Sequence, residues 1–111
     1  MADSQKTIEQ LSALAQDTRF AVFKVLMQAG KDGLPAGEIA KILSVAPNTL
    51  SSHLAIITRA NLATVTRDGR SLIYKAQLEG VKDLLSALVD DCCNGHPEIC
   101  IELSDLTSKR C

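Results

Sequence analysis

The dipeptide Asp68-Gly69 separates two strand-like runs near the middle of the chain. The runs, residues 62–67 and 71–76, are rich in β-branched and apolar residues, and Asp-Gly between two such runs is a strong signal for a tight β-hairpin. The segments on either side carry apolar residues at helical spacing instead. One hairpin within an otherwise helical chain of 111 residues predicts a single small domain that is mainly α.

Five segments have the spacing of helices, four before the hairpin and one after it. Thr7 and Gln10 are spaced as a capping box, and Asp17 is a good N-cap residue for the second segment. Pro47 suits the first position of the fourth segment, after a turn of three residues. We therefore expect helices over about 7–15, 18–28, 36–43, 47–60 and 78–91. A short helix pair with a tight turn, followed by a hairpin, predicts a winged helix-turn-helix.

The third predicted helix turns Ile39, Ala40, Ile42 and Leu43 inward. On the fourth, the apolar stripe consists of Leu50, Leu54 and Ile57, whereas the opposite face is small, polar and free of acids: Asn48, Thr49, Ser51, Ser52 and Arg59. A slim helix face with hydrogen-bonding groups fits the major groove of DNA. His53 lies beside the stripe, and two interpretations stay open, a half-buried packing residue or a base contact.

The charge of the chain is uneven although its net value is only −1. Residues 47–75 carry four basic side chains and one acid, whereas 1–46 carry five of each and 76–111 carry three basic and seven acidic ones. Arg67 and Arg70 flank the tip of the hairpin, where a wing meets phosphates or the minor groove. Together with the polar helix, this basic hairpin predicts binding to double-stranded DNA.

Composition argues against other functions. The chain has two Phe, one Tyr and no Trp, too few rings for a surface that stacks single-stranded bases. No apolar run approaches the roughly 20 residues that cross a bilayer, and the polar start lacks the apolar region of a signal peptide. We therefore expect a cytoplasmic protein without a membrane partner.

Four segments together resemble the bacterial ArsR/SmtB repressors: Asp17-Thr18-Arg19, Glu38-Ile39-Ala40, residues 45–54 and residues 67–74. The similarity covers about residues 7–90. Two departures are Ala46-Pro47, where the family often has serine-glutamine, and Asn61, where it often has glycine. The resemblance implies a homodimer built from the first and last helices. That dimer would bind a near-palindromic operator and release it when an inducer binds.

All four cysteines lie in the last 20 residues: Cys92, Cys93, Cys100 and Cys111. Disulfides among cysteines so placed cannot cross-link the fold along its length. Clustered cysteines in a reducing compartment instead indicate a metal, metalloid or redox site. We therefore divide the chain into a DNA-binding and dimerisation domain, residues 1–91, and an inducer-binding tail, residues 92–111.

Residues 92–100 resemble the C-terminal arsenite site of some arsenical repressors. The better-known arsenic site of the family, on the third helix, is absent because residues 36–43 contain no cysteine. Trivalent arsenic prefers three sulfur ligands, and Gly95 and Pro97 offer a chain reversal between the cysteines. The resemblance therefore implies that Cys92, Cys93 and Cys100 bind arsenite and also antimonite, with no organic cofactor.

Two alternatives keep DNA binding but change the signal. One is a tetrahedral zinc or cadmium site that adds His96 to the three cysteines, and the other is a thiol-redox switch. His96 is otherwise a turn residue and Cys111 a loose thiol. An enzyme is disfavoured, because these thiols follow a helix C-terminus among acids, the opposite of the basic surroundings that activate a catalytic cysteine.

Overall fold

The computed structural model describes the backbone of residues 2–93 and the side chains of residues 5–89. The mainly helical architecture with a hairpin wing is confirmed. The elements follow in the order α1 (Ala2–Leu14), α2 (Asp17–Ala29), β1 (Leu34–Pro35), α3 (Ala36–Leu43), α4 (Pro47–Arg59), β2 (Ala63–Asp68), β3 (Ser71–Ala76) and α5 (Leu78–Cys93), with a short 3₁₀ turn at Gly30–Asp32. Within the described residues, no helix is long and apolar enough to span a bilayer.

Two predicted helix caps are wrong, and glutamine side chains explain both. Helix α1 begins at Ala2 rather than Thr7, and Gln10 is buried, with its Nε2 donating to the carbonyl oxygen of Gly80 at 3.2 Å. Gln16, not Asp17, caps α2, because its side-chain oxygen accepts from the backbone N–H of Arg19 at 2.9 Å. Each of the two glutamines makes a hydrogen bond to a backbone group, and the local sequence pattern does not predict either bond.

The helix-turn-helix consists of α3, a turn and α4, as predicted. Ser44 takes the left-handed conformation, φ 53° and ψ 46°, which closes α3. Pro47 then occupies the start of α4. One detail of α3 is wrong: Ile42 is 56% exposed, because it lies roughly 100° around the helix from the centre of the buried face. That face is made by Ile39 and Ala40, with Leu43 partly buried.

The wing belongs to a three-stranded antiparallel sheet in the order β1-β3-β2. Asp68 pairs with Ser71, so the loop of the hairpin is Gly69-Arg70, and Gly69 supplies the positive φ, 64°, that the first position of such a loop favours. The hairpin is therefore confirmed, with its turn one residue later than predicted. Strand β1 was not predicted, because two residues that include Pro35 give no strand pattern.

One apolar core lies between α2, α3, α4 and the first residues of the hairpin. Leu50, Leu54 and Ile57 of α4 are at most 1% exposed, as the sequence predicts. They pack with the other fully buried members of the core, which are Val22, Leu26, Ile39 and Leu62. Because α4 buries one whole face in this core, its opposite face is held toward solvent in a fixed orientation.

Candidate nucleic-acid interface

The polar face of α4 lies at the start of the helix and is open to solvent. Asn48, Thr49, Ser51 and Ser52 are all exposed, and no acidic residue occurs in the first turn. A helix N-terminus carries unpaired backbone N–H groups and a partial positive charge, both of which favour a phosphate. The structure thus brings together four of the predicted DNA-contacting residues on one accessible helix end.

The wing lies beside this helix and carries two arginines. Arg67 pairs across the hairpin with Leu72, and cross-strand partners share a face of the sheet. Leu72 and Tyr74 on that face line a small cavity of about 120 Å³ together with Leu50 and Ser51 of α4. Arg67 therefore extends from the face of the wing that packs toward α4. Arg70 lies exposed in the loop at the tip.

A further basic residue beside the wing was missed by the sequence analysis. Lys41, in the last turn of α3, lines an open groove of about 440 Å³ between the start of α3 and the wing, and Arg70 lines the same groove. Glu38 lies 3.9 Å from the Lys41 amine, but both side chains are exposed, so this ion pair holds Lys41 only weakly. No sequence pattern marks Lys41, because an exposed lysine on a helix is ordinary.

His53 is half-buried and directed toward α2 by one of its ring nitrogens. Its Nδ1 lies 3.4 Å from Nη1 of Arg19. The same arginine donates from Nε to the carbonyl oxygen of Ala13 at 2.7 Å. The Nδ1 side of the ring therefore fits the packing interpretation. A base contact, the other interpretation, can involve only the Nε2 side.

The end of α4 is held against α5. Asn61 follows the helix in the left-handed region, φ 64°, and a Cβ added at Gly80 would collide with the Asn61 carbonyl oxygen. Gln10 of α1 bonds to the carbonyl of the same Gly80. Helix α4 is thereby in contact with the layer formed by α1 and α5.

Helices α1 and α5 leave apolar side chains uncovered. The two helices pack on each other, and Leu84 is buried between α5 and the core. Leu85 and Leu88 of α5 are 47% and 44% exposed. Ile8 and Leu11 of α1 are also exposed. We call Ile8, Leu11, Leu85 and Leu88 the α1/α5 apolar face.

The predicted metalloid ligands lie at and beyond the end of the described chain. Helix α5 continues to Cys93, two residues past its predicted end, so the backbone of Cys92 and Cys93 is helical. The side chains of both cysteines, together with Cys100, Cys111 and His96, lie outside the described residues. Among the residues that are described, no group of three or more His, Cys, Asp or Glu side chains is arranged to hold a metal ion.

Comparison with known proteins agrees with this architecture. A family model described as a helix-turn-helix domain matches residues 14–66. The chain is 34% identical over 70 residues to a candidate arsenical resistance operon repressor, ArsR, of Halobacterium salinarum. That match covers 63% of this chain and 54% of the other, so the chain spans about half the length of this relative.

Two solved structures have the same fold. An ArsR-like transcriptional regulator from Rhodococcus superposes with a TM-score of 0.76 at 18% identity, covering 91% of this chain and 92% of the other. The homodimeric winged helix-turn-helix DNA-binding domain of Mb0332 from Mycobacterium bovis, a possible ArsR-family regulator, gives a TM-score of 0.66 at 25% identity, covering 87% and 86%. These relatives are named as regulators, which agrees with the prediction that the chain is not an enzyme. The helix-turn-helix match and the shared fold show that the chain is a winged helix-turn-helix protein.

Proposed function

We propose that the chain is a homodimeric, cytoplasmic repressor that binds double-stranded operator DNA and releases it when arsenite binds Cys92, Cys93 and Cys100. The observation that carries the DNA-binding part is the position of the small, polar, acid-free end of α4 beside a basic wing. The inducer part rests on the chemistry of the three thiols and on the resemblance to arsenical repressors.

For DNA binding, the polar helix α4, which we call the recognition helix, and the basic wing have different roles. Asn48, Thr49, Ser51 and Ser52 are short enough to let the backbone of α4 approach base edges in the major groove, where each base pair has a distinct pattern of donors and acceptors. Arg67 and Arg70 contact phosphates, which fix the position of the protein without reading sequence. His53 adds a contact from its Nε2 side.

For assembly, the α1/α5 apolar face is the surface that a second copy covers. Two recognition helices reach successive half-sites only if a two-fold axis sets them about 34 Å apart. The same face on each subunit meets itself across such an axis, which is the commonest form of homodimer. The Mycobacterium bovis relative, whose structure is described as homodimeric, supports this assembly.

For the inducer, the donor set fits trivalent arsenic. Arsenous acid, As(OH)₃, exchanges its three hydroxyl groups for three cysteine sulfurs and releases three waters, so the charge does not change. The acidic residues around the site, Asp90, Asp91 and Glu98, therefore do not oppose binding. Soft thiolate sulfur is also the ligand type that selects thiophilic metals over magnesium or calcium. The arsenical resistance relative from Halobacterium salinarum supports this inducer class.

A direct test of the DNA function is selection of duplexes from random sequence by the wild-type protein, followed by footprinting and sedimentation. We expect recovery of a two-fold symmetric site and a mass of twice the 11.9 kDa chain. A monomer mass at micromolar concentration, or recovery of no preferred duplex, would overturn this part of the proposal.

The inducer class is tested by titrating the protein–DNA complex with arsenite, antimonite, zinc and cadmium in parallel, under reducing conditions. Release by arsenite and antimonite supports the three-thiol site. Release by zinc or cadmium alone supports the four-ligand site with His96. Release only after an oxidant is added, with disulfide detected by mass spectrometry, supports the thiol-redox alternative.

A further inference from the structure

Arg19 and His53 are 34 positions apart in sequence and meet at 3.4 Å between Nη1 and Nδ1. We propose that they form a positioning pair, which sets the orientation of α4 for DNA binding without touching DNA through Arg19. The proposal rests on the proposed DNA-binding function, and it adds two residues on which the fit of the recognition helix depends.

Arg19 is anchored independently of His53. Its Nε donates to the carbonyl oxygen of Ala13 at 2.7 Å, and Ala13 lies in the last turn of α1, where helix carbonyls lack partners within the helix. A cation at this helix end is also favourable for the helix dipole. The guanidinium therefore bridges α1, which carries part of the α1/α5 apolar face, to the recognition helix.

The chemistry of the two groups fixes the state of the histidine ring. A guanidinium has five N–H donors and no acceptor, so Nδ1 must accept the hydrogen bond. With Nδ1 as the acceptor, a ring proton lies on Nε2, a tautomer inferred from the partner. It follows that Nδ1 is committed to Arg19, and that only the Nε2 N–H of His53 is left for another contact.

The orientation of α4 needs such a restraint. Leu50, Leu54 and Ile57 anchor α4 through apolar contacts, which have no directional preference. Hydrogen bonds from the polar face to base edges are directional and weaken steeply when misaligned. His53 lies between the exposed Ser52 and the buried Leu54, so a hydrogen bond at this edge of the stripe limits rotation of α4 about its axis.

The test is a double-mutant cycle on the duplex selected by the wild-type protein, with thermal unfolding and dimer mass measured for every variant. We expect Arg19→Gln and His53→Leu each to weaken binding about five- to tenfold, as the loss of one hydrogen bond to a charged group implies. The double variant should be no weaker than His53→Leu, and Arg19→Gln should not change the preferred sequence.

Two further variants separate positioning from charge and from bulk. His53→Asn keeps an acceptor oxygen close to the position of Nδ1 and should lose less affinity than His53→Leu. Lys24→Gln removes one exposed positive charge from the same helix as Arg19 and should change affinity by less than about twofold. Additive losses in the double variant, or a changed base preference in Arg19→Gln, would overturn the pair.

A measurement without DNA tests the pair separately from the proposed function. Long-range ¹H–¹⁵N spectra assign the ring proton of His53, and we expect it on Nε2 in the wild-type protein. Arg19→Gln should shift the Nδ1 resonance, because its hydrogen-bond donor is lost. An Nδ1 resonance that does not respond to Arg19→Gln would overturn the pair even if the protein binds DNA. Failure of the wild-type protein to select a duplex would instead overturn the DNA function.

Discussion

Gly80, in the first turn of α5, lies so close to the backbone carbonyl of Asn61, just after α4, that no side chain fits between them. The carbonyl of Gly80 also accepts the hydrogen bond of Gln10 from α1. The end of α4 is therefore in backbone contact with α5, and α5 is in turn bonded to α1 through the Gln10 side chain. A change in the contact between those helices and a partner subunit can therefore be transmitted to α4 through Gly80.

We predict that Gly80→Ala lowers the free energy of unfolding by about 1–3 kcal/mol, the usual cost of overpacking, because the obstructing atoms are backbone. Denaturant unfolding measures this cost. Gly37→Ala is the matched control, since that glycine is also helical and has open space around its α-carbon. The control should be neutral or stabilising by up to about 1 kcal/mol. Equal stability of the two variants would contradict the packing of α5 on Asn61.

Asn61 provides a second stability test, because its φ of 64° suits glycine better than any residue with a Cβ. Asn61→Gly should therefore leave stability unchanged or raise it slightly. Asn61→Ala should lower it by about 1 kcal/mol, the cost of the left-handed region for an ordinary residue. Thermal unfolding of the two variants under identical conditions decides the matter. An alanine variant more stable than the glycine variant would contradict the left-handed conformation of Asn61 after α4.

For the wing, Arg67→Ala and Arg70→Ala should each weaken binding to all duplexes. Each should also reduce the salt dependence of the binding constant by about one per lost phosphate contact, or about two in a dimer. Ser51→Ala should instead change the preferred base at one or two positions. Affinity measured against salt concentration distinguishes the two behaviours, with Lys82→Ala on α5 as the charge control. Full affinity after removal of both wing arginines would refute their role.

For assembly, Leu88→Asp should abolish both the dimer and DNA binding, since it buries an unpaired charge in the α1/α5 apolar face. Sedimentation measures the mass. Ile42→Asp is the control for mass, because it places the same charge at an equally exposed apolar position outside that face. A dimer that survives Leu88→Asp would remove the basis for this interface.

The helix-turn-helix and the hairpin were predictable because their signals are local. The turn at Ser44, Pro47 at the start of α4 and the Asp68-Gly69 dipeptide each act within a few residues. The buried stripe of α4 was predictable for the same reason, since its spacing is that of one helix face.

Other features depend on residues that are distant in sequence, so no local pattern reports them. Gln10 bonds to a carbonyl 70 positions away, and the Arg19–His53 contact spans 34 positions. Strand β1 exists only because Leu34 pairs with Tyr74. The arginines of the wing form a charge cluster in the sequence. Lys41 lies near Arg70 only because the fold places α3 next to the hairpin.

We propose that three cysteines couple arsenite binding to the release of DNA. Under the proposed function, gathering Cys100 onto the same arsenic atom as Cys92 and Cys93 would pull on the end of α5, a helix that carries part of the α1/α5 apolar face. A coupling of about 1–3 kcal/mol is enough to lower DNA affinity some 5–150-fold. Arsenite must favour the arrangement that does not bind DNA, because only differential affinity shifts the equilibrium.

The most direct measurement titrates arsenite into the complex of the wild-type protein with its selected duplex and monitors DNA release by fluorescence anisotropy. Four serine variants are titrated in the same way. Wild type and Cys111→Ser should release the DNA with one arsenic bound per subunit. Cys92→Ser, Cys93→Ser and Cys100→Ser should each bind the duplex normally and keep it when arsenite is added. A Cys100→Ser protein that releases DNA at wild-type arsenite concentrations would contradict the three-thiol site.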